Sequence, residues 1–330
     1  MPLHRAAQRG EPVLLQGPRS SGKTTLLLRE FPGHAYLALD NAADRSRART
    51  DPAAFLARLR GPAIVDDLHR SPELVEHLQT GRFRGPLIVA SSRRLQLPIE
   101  TLHIYHPTRA ECHGRQPLTL AMLGRFVPLA VTPIAPAPPW PNKRNFIESD
   151  LRDLVSVHDT GRFEAFLLAA QAMSGQVLDQ QSLAGQCGLS HRTVARWLAV
   201  LDTCLLTLRL PPADADFGRR TVRSPKLHFL DSECFESRVV SEILRNAAHE
   251  GEIPDLHYWR DSNGFEIPLI IRSGAGNAIP AGIAAAPTPA DVSRLRRWME
   301  LASVNQAALI GQTRSSAKLN GICRYSIEQL

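Results

Sequence analysis

Gly17-Pro18-Arg19-Ser20-Ser21-Gly22-Lys23-Thr24 decides how the N-terminal part of this chain is read. The stretch fits G-x-x-x-x-G-K-[ST], and its flanks matter as much as the match. Val13-Leu14-Leu15 before it reads as a short buried strand, and Thr25-Leu26-Leu27-Leu28-Arg29 after it reads as the opening of a helix. In that setting glycines let backbone N–H groups curl around phosphate oxygens, and the helix N-terminus adds the positive end of its dipole. Lys23 is then placed to reach the β- and γ-phosphates of a nucleotide, and the Thr24 hydroxyl to ligate magnesium. Gly17, Pro18, Arg19, Ser20, Ser21, Gly22, Lys23, Thr24 and Thr25 are the expected contacts for ATP and Mg2+.

Hydrolysis needs more than a phosphate cradle. Ala63-Ile64-Val65-Asp66-Asp67 is an apolar run ending in two carboxylates. At the C-terminal end of a parallel strand, Asp66 would hold the metal and Asp67 would orient the attacking water. The plainer reading is that Asp67 caps a loop. Leu87-Ile88-Val89-Ala90 reads as another buried strand, and Ser91 or Ser92 after it as a sensor of the γ-phosphate, or as ordinary loop residues. Ala35-Tyr36-Leu37-Ala38-Leu39 and Leu102-His103-Ile104-Tyr105 bring the strands to about five. Asp51-Pro52-Ala53 and Ser71-Pro72-Glu73 each read as a cap followed by proline at the first helical position. Strands alternating with capped helices make a parallel α/β sheet with its ligand at the strands' C-terminal ends.

At 330 residues the chain has room for two or three domains. No apolar run approaches a membrane span, and Met1-Pro2-Leu3-His4-Arg5 lacks the apolar core of a secretory signal, so a cytoplasmic protein is expected. Five scattered cysteines argue for reduced thiols rather than a disulfide framework. His103, His106, Cys112 and His113 match no common zinc spacing. The net charge of +7 favours polyanionic partners, nucleic acid first among them, although an arginine-rich composition alone accounts for part of it.

Six prolines between Pro128 and Pro141 read as an extended linker. A helical stretch over 146–157 and an amphipathic run from Phe163 to Leu168 follow. Ser182–Cys187, a turn at Gly188-Leu189-Ser190, and His191–Leu198 spell a helix-turn-helix, with the strand-like Leu205–Leu210 behind it as in a winged variant. Val194, Leu198 and Leu201 line one face of the second helix. Arg192 and Arg196, four apart on another face, are placed to meet phosphates or base edges of duplex DNA. A protein-docking or purely structural role fits the same pattern.

Taken in order, GPRSSGKTTLL at 17–27, YLALD at 36–40, DPAAFLARL at 51–59, AIVDDLHRSPELV at 63–75, DLRDL at 150–154, SPKLHFLD at 224–231 and YWRDSNGFEI at 258–267 resemble a prokaryotic family of AAA+-like ATPases. Its members carry a C-terminal winged helix joined to a restriction-endonuclease-like fold. The resemblance covers nearly the whole chain and implies an ATP- and magnesium-binding domain. The departures are informative. The family usually has Glu where this chain has Asp67, one methylene shorter, and a displacement of ~1 Å from a water-orienting position can cost ~100-fold. The Gly-Arg pair usual after the sensor strand has no counterpart near Leu102–Pro107, although Arg93 or Arg94 could stand in. Endonuclease-like members place an Asp after a Glu-hydrophobic pair, then Glu-x-Lys on the next strand. Here Glu266-Ile267 is followed by Pro268, and Ile279-Pro280-Ala281-Gly282-Ile283-Ala284 offers glycine and alanine. Glu236 and Glu266 remain as acids, for pairs with Arg260 or Arg238, and the stretch from Asp231 to Glu236 is shortened.

The sequence therefore predicts an α/β fold: a P-loop NTPase (AAA+-like) parallel sheet, then a winged helix-turn-helix and a degenerate endonuclease-like α/β domain. The expected divisions are 1–127 for the ATPase domain, 128–145 for the linker, 146–222 for the helical and winged-helix region, and 223–330 for the remainder. The function expected is slow Mg-dependent ATP hydrolysis, with nucleotide state governing DNA or protein binding by the C-terminal half and nuclease activity lost. A non-hydrolysing, nucleotide-gated DNA-binding regulator is the alternative. An arginine finger in this superfamily comes from a neighbouring subunit, so a homo-oligomer is a further expectation.

Overall fold

Residues 2–59, 61–80, 85–108, 111, 160–215, 217–218, 220–272, 278–312 and 317–330 are described by the computed structural model of the chain. The linker expected at 128–145, the helix expected over 146–157, the DLRDL motif, Cys112 and His113 lie outside them. The chain divides into two compact units, the first made of Met1–His106 with the short segments Thr203–Leu205 and Ala248–Glu252.

In the first unit, strands β1 (Val13–Gln16), β2 (Ala35–Ala38), β3 (Ala63–Asp66), β4 (Leu87–Ser91) and β5 (Glu100–His103) form a five-stranded sheet in the order β2-β3-β4-β1-β5. Every pairing is parallel. Alternate residues face opposite sides of a strand, and a parallel sheet is covered on both. Val13, Leu15, Ile64, Ile88 and Ala90 pack with Leu3 of α1 (Pro2–Gln8) and Leu27 of α2 (Lys23–Glu30). Leu14, Val65, Leu87 and Val89 face the other way, onto Ala48 of α3 (Ala42–Thr50), Phe55 of α4 (Pro52–Ala57) and Leu74 and Leu78 of α5 (Leu74–Thr80).

Helix starts follow local chemistry. Asn41 caps α3 by accepting the Ala43 N–H at 2.8 Å, and Asp51 caps α4 by accepting the Ala54 N–H at 2.9 Å, with Pro52 at the first position. Ser71-Pro72 behaves differently. The Ser71 carbonyl accepts the Leu74 N–H, the Ser71 N–H donates to the Leu68 carbonyl, and the Ser71 hydroxyl caps nothing. A 3-10 turn at Leu68–Arg70 runs into this bend, so α5 begins only at Leu74. Strand β5 likewise begins two residues before the apolar run that announced it, because Glu100 and Thr101 pair with Val13 and Leu14.

The second unit opens with α6 (Thr160–Ala172), β6 (Gln176–Val177), α7 (Gln180–Cys187) and α8 (His191–Thr203). Gly188 ends α7 in the left-handed conformation, and the Ser190 hydroxyl accepts the Thr193 N–H at 3.1 Å to start α8. Trp197 of α8 meets Phe163 and Phe166 of α6 edge-on, with ring centroids 5.1 and 5.2 Å away. Strands β7 (Thr207–Leu210) and β8 (Lys226–Phe229) join β6 in an antiparallel sheet ordered β6-β8-β7.

Helix α9 (Phe235–His249) then leads to β9 (Asp255–Arg260), β10 (Glu266–Arg272), β11 (Ala278–Ile283), α10 (Pro289–Ala302), β12 (Ala307–Gly311), β13 (Ala317–Leu319) and β14 (Ile322–Ser326). These strands make a mixed six-stranded sheet, order β13-β14-β12-β11-β10-β9. Helix α9 covers one face through Val239, Val240 and Ile243, and α10 the other through Leu295 and Trp298. The β9–β10 register shifts between Ile267 and Ile270, across Pro268, which has no N–H to give to a ladder.

The aromatic cluster makes a direct check on the second unit. Trp197→Ala should lower unfolding stability by ~3–5 kcal/mol, read as a fall in denaturant midpoint. Arg192→Ala, on the exposed side of the same helix, should stay within ~0.5 kcal/mol. Equal effects of the two substitutions would contradict this packing.

Candidate functional site

In the first unit, the loop between β1 and α2 is held from both sides. The Gly17 N–H donates to the Ser91 carbonyl at 3.2 Å and the Ile104 N–H donates to the Gln16 carbonyl at 2.7 Å, so the ladders to β4 and β5 extend into the loop's first residues. A Cβ on Gly17 would lie 1.8 Å from the Ile104 carbonyl oxygen. That glycine is demanded by the neighbouring backbone. Gly22 is needed for a different reason: at φ 87° it is left-handed and in open space, and α2 starts from it without a side-chain cap. Ser20 is also left-handed, at φ 63°. Gly17, Pro18, Ser21 and Lys23 are buried, whereas Arg19, Ser20, Gly22, Thr24 and Thr25 face solvent.

The buried Lys23 ammonium donates to the Gly17 and Pro18 carbonyls at 2.9 and 2.8 Å, with the Ser21 hydroxyl 3.5 Å away. The loop thus folds around its own cation. Thr24, one residue on, donates its hydroxyl to Asp66 Oδ2 at 2.6 Å. Strand β3 is not a neighbour of β1, because β4 lies between them. The bond therefore joins the end of the glycine-rich stretch to the acidic strand end across a full strand position. Tyr36 donates to the same Oδ2 at 2.9 Å, and the Asp67 N–H to Oδ1 at 2.9 Å.

Asp67 leaves the strand in the left-handed conformation at φ 60°, which an Asp tolerates. Its carboxylate lies 3.5 Å from Arg70 Nε and 3.9 Å from His69 Nδ1. Burial and then the neighbouring Asp66 charge push the Asp67 carboxyl above its ordinary value, opposed by Arg70, Lys23 and Arg19. His69 is buried and pushed down to about 3, by burial first and then by Arg93 and Arg70, so its ring is neutral at physiological pH. Its Nδ1 accepts the Ser92 N–H at 3.4 Å, tying the acidic turn to the end of β4. Ser91, wholly buried, uses its hydroxyl in its own turn, donating to the Arg93 carbonyl at 2.7 Å. The Gln16 side chain pins the following loop by bonding both the N–H and the carbonyl of Leu95.

Lys23, Thr24, Asp66 and Asp67 are thus brought to one end of the sheet, and Ser91 ends the strand between them. Tyr36, Gln16 and His69 were not anticipated. Tyr36 was read only as a strand residue; its one visible signal is an aromatic hydroxyl on the strand that pairs with the acidic one.

In the second unit, Arg192 and Arg196 are both exposed on α8, away from buried Val194, Leu198 and Leu201. A separate polar cluster lies around Lys226, which is almost wholly buried on β8. Its ammonium donates to Glu236 at 2.7 Å and to Glu266, and Arg260 bonds Glu266 at 3.1 Å. Of the arginines expected to pair with these acids, Arg260 bonds Glu266, while Glu236 meets Lys226, which the sequence reading did not anticipate. Beneath them His228 Nδ1 bonds the Ser237 hydroxyl at 2.9 Å, and Ser237 meets Ser174 at 2.8 Å. Burial pushes Glu236 up to about 7, against the pull of Lys226, and pushes His228 down to about 3. Among the described residues no group of three or more His, Cys, Asp or Glu is arranged to hold a metal ion.

Comparison with known proteins gives similarity without a stated activity. Residues 142–233 match a family described as "Domain of unknown function (DUF8612)". Two similar relatives are the uncharacterized protein Rv2008c of Mycobacterium tuberculosis and the uncharacterized protein Mb2031c of Mycobacterium bovis. Each is 26% identical over 309 residues, covering 82% of this chain and 69% of the relative.

The Lys226 cluster has a pH signature. Glu236 holds its proton more tightly when folded than at the ordinary value of 4.5, so its contribution to stability is present below that value and is lost as pH rises to about 7. Glu236→Gln removes the titration and keeps the shape. The thermal midpoint of wild type minus that of Glu236→Gln should fall between about pH 4.5 and 7 and level off above. A difference independent of pH would contradict the burial of this carboxyl.

Proposed function

We propose that the first unit is a P-loop of the AAA+-like kind that binds ATP with magnesium and hydrolyses it slowly. We further propose that its nucleotide state governs DNA or protein binding by the C-terminal half. The observation that carries the reading is the Thr24–Asp66 hydrogen bond. A hydroxyl that donates its hydrogen bond to a carboxylate keeps its oxygen lone pairs for a cation. Here that hydroxyl follows directly on the lysine of the glycine-rich loop, which suits magnesium between phosphate oxygens and protein.

Magnesium, when bound, would offset negative charge on the phosphate oxygens. The remaining work falls to the chain. Loop amides and the uncapped start of α2 would receive phosphate oxygens, and Lys23 would exchange its carbonyl partners for them. Asp67, whose raised proton affinity makes it a better acceptor, would orient and polarise water. It is a methylene shorter than Glu and is also drawn toward Arg70, both of which favour slow turnover. Arg19 and Arg70 act on Asp67 itself, and an arginine finger for the transferring phosphate would come from a neighbouring copy. Ser91 lies at the sensor position, although its hydroxyl is engaged in its own turn.

The helix-turn-helix reading of α7 and α8, with the small antiparallel sheet as a wing, is supported by the Gly188 turn and by the exposure of Arg192 and Arg196. We read the C-terminal sheet as a degenerate endonuclease-like fold without cleavage activity. The position expected to carry Asp holds Pro268, and Glu266 is committed to Lys226 and Arg260. The second reading, a nucleotide-gated DNA-binding regulator without turnover, draws on the Asp67–Arg70 pair.

Magnesium-dependent ATP turnover, with and without duplex DNA, tests the proposal. Wild type should turn over slowly, Asp67→Glu should be ~10–100-fold faster, and duplex DNA should stimulate both. Absent turnover in both proteins would overturn the ATPase reading and leave the regulator.

A further inference from the structure

The hydroxyl of Tyr36 is held against the carboxylate expected to face the metal, and nothing in the chemistry described so far uses it. Tyr36 is the second residue of β2 and pairs in register with Ile64, two residues before Asp66. Tyr36 is 40% exposed, so packing alone does not fix it. Its hydroxyl nevertheless donates to Asp66 Oδ2 at 2.9 Å, beside the Thr24 bond to the same oxygen.

We propose that Tyr36 is a positioning residue for the metal end of the nucleotide site, holding the Asp66 carboxylate so that Thr24 presents its lone pairs to magnesium. The inference rests on the nucleotide reading above. A carboxylate offers about four acceptor positions. Tyr36, Thr24 and the Asp67 N–H fill three of them, two on Oδ2 and one on Oδ1. Two donors on one oxygen and a third on the other prevent the carboxylate from turning. The Thr24 proton is then directed inward and its lone pairs outward. Without Tyr36, the Asp67 N–H still holds Oδ1 and Thr24 still bonds Oδ2, but Oδ2 loses one of its two donors and the Asp66–Thr24 pair is held less firmly; the loss falls on the metal rather than on the phosphates, which Lys23 and the loop amides receive.

The test uses the full chain and ATP itself. ATP affinity is measured calorimetrically in EDTA and across a magnesium series for wild type and Tyr36→Phe, which keeps the ring. Tyr36→Phe should bind ATP in EDTA within about twofold of wild type, yet need about tenfold more magnesium for half-maximal tightening, the order expected on removing a hydrogen bond to a charged group. An unchanged or lower magnesium midpoint would overturn the inference, as would an equal loss of affinity in EDTA, which marks a structural role. If wild type binds no ATP under any condition, the nucleotide reading fails and this inference with it. Normal wild-type binding with an unaffected Tyr36→Phe removes this inference alone.

Discussion

One hydrogen bond, donated by the Thr24 hydroxyl to Asp66, ties the glycine-rich loop of the N-terminal unit to its acidic strand end. The bond exists because the sheet order β2-β3-β4-β1-β5 brings an acidic strand end near the start of α2 without making β3 a neighbour of β1. β4 fills the gap, and its last residue, Ser91, receives the Gly17 N–H. A change in strand order would leave the glycine-rich loop intact and separate it from the carboxylates. On the proposed reading the loop alone would be a cradle, and its chemistry would depend on the strand two positions away.

Much of this was legible in the sequence, for physical reasons. A parallel sheet buried on both faces writes itself as short continuous apolar runs, and Val13-Leu14-Leu15, Ala63–Val65 and Leu87–Ala90 are such runs. Asp51-Pro52 announced α4 because capping is local chemistry. Ser71-Pro72 misled because the preceding 3-10 turn takes the serine's N–H and its hydroxyl caps nothing. Tyr36 was illegible as a site residue. Its partner is thirty positions away, and no periodicity marks a side chain whose polar tip rather than its ring is the part held in place. The role of Gly17 also differs from what the motif suggests, since its missing Cβ makes room for the Ile104 carbonyl.

A different constraint governs the second unit. Lys226 is buried between two carboxylates supplied by α9 and β10, with His228 and Ser237 below. Removing one partner from such a cluster leaves a charge without compensation, a larger cost than the pairing returns. The cluster therefore fixes how β8, α9 and β10 meet. Nothing in sequence spacing joins Lys226 to Glu266, forty positions apart. The pairing gives Glu236 and Glu266 structural work in this sheet.

The central claim is that the first unit holds a nucleotide through Lys23, and equilibrium binding tests it most directly. Titration of ATP with magnesium into wild type and Lys23→Ala, both shown to be folded by thermal unfolding, separates the cases. The account predicts saturable one-site binding to wild type and loss of at least about two orders of magnitude in Lys23→Ala, as expected when a charge-assisted contact to phosphate is removed. Equal affinity in the two proteins, or no binding to folded wild type, would contradict it.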